Sequence, residues 1–440
     1  MKARFSSFFL LLLVLAFAQA TIAAPNPEVL ARNVISENPA EANRAVAEVR
    51  AMGPAGLDLL FHTYAREINA QVSNPLQPAT LEWQRLSEAL DSVSQQKNSY
   101  LSGLYWYTDL DQAKEAARAT GKPILSLHLL GKLSEEFSCT NSRFFRTILY
   151  SNAEVSKILR EHFILHWQSE RPAPRVTIDF GDGRKLERTV TGNSIHYILD
   201  IDGRPIEAVP GVYGPQAFAR KLAASEQLFK AIKGKVDADR QLLLDNYYRE
   251  QNNQIAFQWA EDIKKIGGKT PQGFVFSNDD KGVAITIMPM AMSKAVTETS
   301  ILRSITAGAD ALGRITDETA WTKIALSHLE DARLDEQSIG LIKRQTQELL
   351  RSTKGASFDG LMMSQLQKFQ SSIALDTVRN DYLMHTKLYA WLLTNRNLNV
   401  EILNRKVYAE LFLTPATDPW LGLYSPDVYT AIEGGGLSRN

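Results

Sequence analysis

Hydrophobic positions recur along the chain in three different rhythms. From residue 26 to 97 they follow helical spacing: within Glu41–Leu60, Ala45, Val49, Met52, Leu57 and Leu60 fall on helical faces interrupted by Gly53-Pro54. That pattern predicts two helices joined by a tight turn. Ser73–Thr80, with Pro75 and Pro78, reads as a loop.

From Tyr100 to Leu228 short apolar runs alternate with helical stretches. Thr108-Asp109 can cap a helix carrying Leu110, Ala113, Ala116 and Ala117 on one face, and Gly121-Lys122-Pro123 ends it. Ile124–Leu130 has the length and composition of a buried strand. A helix is expected from about Asn141 to Glu161, then a strand at Phe163–Gln168. Val176–Val190 reads as a hairpin turning at Gly181-Asp182-Gly183. Ser194–Asp200 and Ile206–Pro210 complete the strands, and Pro215–Leu228 a closing helix. Strands interleaved with helices predict a mainly parallel α/β sheet with an antiparallel end and helices on both faces.

Residues 230–413 return to helical periodicity, giving a central α/β domain at 98–229 flanked by N-terminal and C-terminal all-α regions. Gly267–Ile287, rich in Gly, Pro, Asn and Asp, is the exception and reads as a loop or hairpin. Leu375, Val378, Tyr382, His385, Tyr389 and Leu392 form one apolar helical stripe, which makes His385 a core histidine. Residues 414–440 lose all periodicity; Trp420, Leu423 and Tyr424 are expected to pack the tail against the body.

The N-terminus has the layout of an export signal over residues 1–20. Lys2 and Arg4 form the positive flank, Phe8–Ala18 the apolar stretch, and Ala18-Gln19-Ala20 a small-x-small cleavage pattern. The apolar stretch is shorter than the roughly 20 residues a spanning helix needs. The expectation is a periplasmic or secreted protein with no membrane span in the mature chain. Acidic and basic residues balance at 49 each. No basic run accompanies that balance, so a nucleic-acid partner is not expected. Cys139 is the single cysteine of 440 residues. The fold must therefore be held by packing rather than internal cross-links.

Cys139 stands in Cys139-Thr140-Asn141-Ser142, between an expected strand and an expected helix. With Trp106-Tyr107-Thr108-Asp109, the Ala-rich helix, Lys122-Pro123-Ile124-Leu125, Tyr150-Ser151-Asn152 and Gly211-Val212-Tyr213, this region resembles exported thioredoxin-like proteins. The helix–Gly-Pro–helix unit near residue 53 likewise resembles a HEAT-type hairpin, without a second copy at a fixed period. The thioredoxin resemblance implies an active-site position at Cys139 and a peptide-binding edge at Ser194 and Ile195. Ser142 stands in place of the resolving cysteine, Ser194 in place of the family's proline, and no Trp precedes Cys139.

A thiol at a helix start feels the partial positive charge of unpaired N–H groups, which favours thiolate. Arg143 and Arg146 could add to this and Ser142 could hydrogen-bond the sulfur; Glu135 and Glu136 would oppose it. A monothiol can form a mixed disulfide but needs an external thiol reductant to leave it. Two roles follow: monothiol exchange or capture of envelope or secreted proteins through Cys139, Ser142 and Arg143, or a redox-inactive scaffold for protein–protein interaction. His128, His166 and His196 each lie on an expected strand and would bind a metal only if all shared one face, so no metal or cofactor is assigned.

Overall fold

The computed structural model describes residues 26–269, 310–351, 358–395, 399–424, 431–432 and 437. The export signal, most of the Gly267–Ile287 stretch and Gly434-Gly435-Gly436 lie outside the described residues.

Five helices open the described chain: α1 (Pro27–Asn33), α2 (Pro39–Ala51), α3 (Pro54–Thr63), α4 (Ala65–Ser73) and α5 (Leu81–Ser94). Proline in the first turn of α1, α2 and α3 suits a position whose N–H has no intrahelical acceptor. Gly53, at φ +70°, makes the turn between α2 and α3. Leu57, Leu60, Leu86, Leu90 and Val93 bury their side chains in a core separate from the rest of the molecule. Arg50 ties this layer to the central sheet, donating to Val93 O at 2.5 Å and Trp106 O at 2.7 Å.

The central sheet contains β1 (Trp106–Tyr107), β2 (Ile124–Leu130), β3 (Ile164–Arg171), β6 (Ile195–Leu199) and β7 (Pro205–Pro210) in the order β1-β3-β2-β6-β7. β1, β3 and β2 run parallel, while β6 and β7 are antiparallel additions. β4 (Arg175–Asp179) and β5 (Lys185–Thr189) form the expected hairpin as a separate ribbon, every residue of β4 being exposed. β1 was not expected: two residues are too few to show a period.

Two helices carry the strand connections, α6 (Leu110–Thr120) and α8 (Ala153–His162), and α9 (Pro215–Ile232) follows β7. The single helix expected from about Asn141 to Glu161 is instead α7 (Thr140–Phe144), a π-helical turn (Phe145–Leu149), and α8. Tyr150 N–H donates to Phe145 O at 2.7 Å, five residues back, and Asn152 then caps α8 by accepting from Val155 N–H at 3.0 Å. The break turns Tyr150 inward, where its hydroxyl lies 2.7 Å from His196 Nε2.

The C-terminal helices are α10 (Asp237–Lys265), α11 (Asp310–Ile315), α12 (Glu318–Ser327), α13 (Glu336–Arg351), α14 (Phe358–Arg379), α15 (Thr386–Thr394) and α16 (Val400–Lys406). Further π turns at Asn380–His385 and Val407–Leu411 follow α14 and α16. Buried side chains from Leu104 to Leu421 form one continuous core, so the C-terminal helices and the sheet share an interior. Gly214 permits this closeness: a Cβ there would meet Asp331 O at 2.0 Å. Among the described residues no helix is long and apolar enough to cross a membrane.

Candidate functional site

Cys139 follows the loop Lys132–Ser138 that leaves β2, and it is the N-cap residue of α7. Its N–H donates to Leu130 O at 3.3 Å, and its Sγ accepts the backbone N–H of Ser142 at 3.4 Å. The helix-start placement is thus realised, but the donor is backbone. The expected bond from the Ser142 hydroxyl is not made, and Ser142 Oγ has no hydrogen-bond partner among the described residues. Arg146 is nearly fully buried and binds the loop, donating to the carbonyls of Glu135 and Glu136. Burial lowers its pKa, against the opposing charge of Glu136. Arg143 donates to Thr140 Oγ1 at 3.4 Å.

The chain after β5 runs alongside this loop. Thr189 Oγ1 donates to Ser138 O at 3.1 Å, and Thr140 N–H donates to Thr191 O at 3.3 Å. Gly192 lies against Asn141 so closely that a Cβ would fall 2.7 Å from its Oδ1. Tyr408 then closes over the loop, its hydroxyl donating to Asn193 O at 3.2 Å. Burial, reinforced by the charges of Glu170 and Cys139, pushes the Tyr408 phenol far up. The outcome is enclosure: Cys139, Ser142, Ser194 and Ile195 each have 0% exposure. The expectation that Ser194 and Ile195 line an accessible edge is corrected here, because Ile195 pairs with β2 on one side and β7 on the other. Trp420, Leu423 and Tyr424 do not anchor the tail as expected, being 44%, 40% and 37% exposed. Buried Leu421 and the hydrogen bonds of Arg171 anchor it.

Beside the enclosed thiol a cleft of about 290 Å³ opens between α7 with its π turn and helices α13 and α14. Phe144, Ile148, Val212, Ile342, Phe369 and Ile373 supply its apolar walls, with Arg143 and Asp376 as charged groups. Thr140 and Asn141, the residues directly after Cys139, also line it. Sequence periodicity signalled only the α7 side, since the opposing wall comes from residues two hundred positions away.

Strand register decides the fate of the three histidines. His166 pairs with Ser126, two positions before His128, so His128 and His166 share a face, with ring centroids 6.5 Å apart. His196 pairs with Leu127 and therefore lies on the opposite face, against Phe145 and Phe218. The trio does not converge. Burial depresses both His166 and His196 to about 3.

A second polar centre, not anticipated, joins β7 to the C-terminal helices. Glu207 accepts from Ala208 N–H at 2.8 Å, Tyr247 OH at 2.7 Å and Tyr389 OH at 2.9 Å, and lies 3.2 Å from His385 Nε2. The other nitrogen of His385 is 3.1 Å from Asp381, which pairs with Lys221 at 2.6 Å. Burial pushes Glu207 up, but the hydrogen bond and charge of His385 outweigh it and hold the carboxyl below its usual range. His385 is the core histidine expected, yet it is a hydrogen-bonded link between Glu207 and Asp381 rather than an apolar filler. Asp381 lies one helical turn before it, but Glu207 stands 178 residues away in sequence, where no local pattern could reveal it. Comparison of the chain with protein-family models, curated proteins and solved structures found no match.

Proposed function

We propose that this chain is an exported, thioredoxin-derived binding protein that recognises segments of envelope or secreted polypeptides without redox turnover. The thioredoxin-like reading is supported by three parallel strands extended by two antiparallel ones, and by Cys139 at the strand-to-helix junction after β2. The observation that carries the non-redox reading is the 0% exposure of Cys139, Ser142 and Ser194. A thiolate must reach its disulfide substrate in line, and here the whole Cys139 side chain is shut off from solvent. Recognition then falls to the adjoining cleft, whose apolar walls and opposed Arg143 and Asp376 suit an apolar side chain flanked by the polar groups of a peptide.

Alkylation with a maleimide tests this. Cys139 should react in denaturant and resist in the native protein by at least about a hundredfold in rate, the ratio set by opening. Rapid native labelling would end the proposal.

One observation favours monothiol exchange instead: the Ser142 N–H directed at Cys139 Sγ at 3.4 Å, an arrangement that stabilises thiolate. That reading requires an external thiol reductant and predicts mixed disulfides trapped from envelope extracts by native protein and lost in Cys139→Ser.

A further inference from the structure

We infer that residues 413–421 are an exchangeable occupant, held in cis, of a polypeptide-binding edge built by Arg171 and Asn193. Another polypeptide segment folded into the same turn competes for the same edge. The inference rests on the recognition role proposed above but concerns a different surface from the cleft.

The contacts have the character of peptide recognition. Arg171, the last residue of β3, directs its guanidinium at three main-chain carbonyls: Asp418 O at 2.6 Å, Thr414 O at 2.9 Å and Pro415 O at 3.3 Å. Arg171 makes these three bonds to main chain alone, and Asp418 N–H closes back on Pro415 O at 3.0 Å, so they read the shape of a turn rather than a side-chain sequence. Asn193 Nδ2 adds a bond to Thr414 Oγ1 at 2.9 Å. The segment has no regular secondary structure, and Ala416, Thr417, Pro419 and Trp420 are exposed. Its docking is thus polar in the middle, with apolar burial only at Phe412 and Leu421.

One further feature favours exchange over permanent docking. Leu413 and Leu421, at φ +52° and +56°, hold left-handed conformations at both ends of the segment, which a branched L-residue adopts at a cost that release would relieve.

The test uses the full chain and a fluorescein-labelled peptide of residues 412–424, followed by anisotropy. Thr414→Val removes the Asn193 contact from the cis segment while keeping shape. It should tighten binding of the peptide about three- to tenfold over the unaltered protein. Arg171→Met added to that variant should weaken binding by roughly tenfold or more. Equal peptide affinity in the Thr414→Val and unaltered proteins would overturn the inference. In the unaltered protein, amides of 413–421 should exchange with solvent well ahead of those of β2. Equal protection would overturn it too. Cys139 labelling is a separate readout: a reactive thiol would defeat the recognition role, whereas an inert thiol with no peptide competition would defeat the present inference alone.

Discussion

His328 Nε2 lies 2.6 Å from Asp262 Oδ2, closing the connection between α12 and the end of α10. Tyr382 OH reaches the same oxygen at 2.6 Å, and the Trp259 and Tyr382 rings stack beside it with centroids 5.5 Å apart. Hydrogen bonds to Asp262 and Asp331 raise the His328 pKa to about 9, despite partial burial. The folded state therefore holds a proton that the unfolded chain releases near pH 6.5. This contribution is complete below pH 6.5 and disappears as pH rises through about 9. Urea titrations at pH 6 and pH 9.5 should differ by on the order of 2 kcal/mol, and His328→Gln should abolish most of that difference. An alkaline limb unchanged by the substitution would contradict the assignment.

His166 and His196 act in the opposite direction. Burial is the main cause that lowers each to about 3, and the charge of His128 assists at His166. Both are neutral in the folded protein at pH values where the unfolded chain is protonated. Stability should consequently fall as pH drops below 6.5, each group contributing about 1.4 kcal/mol per pH unit until its folded pKa is reached. With His328, this places maximum stability near pH 6.5. His196→Phe, which keeps a ring against Phe145 and Phe218, should make the acid limb shallower by one proton, measurable from the slope of unfolding free energy against pH.

How much of this was legible in the sequence depends on the range of the interactions. Ile124–Leu130 could be read directly, because an apolar run bounded by Lys122-Pro123 and Gly131 leaves little but a buried strand. The Gly181-Asp182-Gly183 turn was readable for a similar reason: Gly181 and Gly183 both take positive φ. The capping position of Cys139 also followed from local order, since a strand ended before it and a helix began after it. Burial of Cys139 did not follow, because the chain packed beside its helix start, where Thr191 O accepts from Thr140 N–H, comes from some fifty residues further on with its own local pattern. The π turn at Phe145–Leu149 was equally invisible: one inserted residue leaves the apolar content of Phe144, Phe145, Ile148 and Leu149 unchanged. Nor could the face of His196 be read before its register with Leu127 was known.

If Cys139 serves the fold, its substitutions should rank by capping ability rather than by sulfur chemistry. Serine is a preferred N-cap and can accept the Ser142 N–H, although its hydroxyl is then buried. Cys139→Ser should lie within about 1 kcal/mol of the native protein. Cys139→Val fills the space but accepts nothing, leaving the Ser142 N–H unpaired in a fully buried site, and should cost about 1–2 kcal/mol. Chemical denaturation gives both values. A serine variant less stable than the valine variant would show that the cap bond contributes little.

Glu207 offers the sharpest contrast between a charged and a neutral isostere. Its side chain is 1% exposed and its two oxygens meet Ala208 N–H, Tyr247, Tyr389 and His385. Glu207→Gln preserves shape but turns one acceptor into a donor facing tyrosine hydroxyls or His385, and it removes the charge opposite His385. Leaving buried hydrogen-bonding groups without a partner costs about 1–3 kcal/mol. The Gln variant should approach that range, while Glu207→Gln combined with His385→Gln should recover part of the loss because the imidazole that lost its carboxylate partner is then also gone. The cycle requires four denaturation curves. Additive losses would mean that His385 takes its support from Asp381 alone, 3.1 Å away, and that β7 is held to the C-terminal helices by the two tyrosines instead.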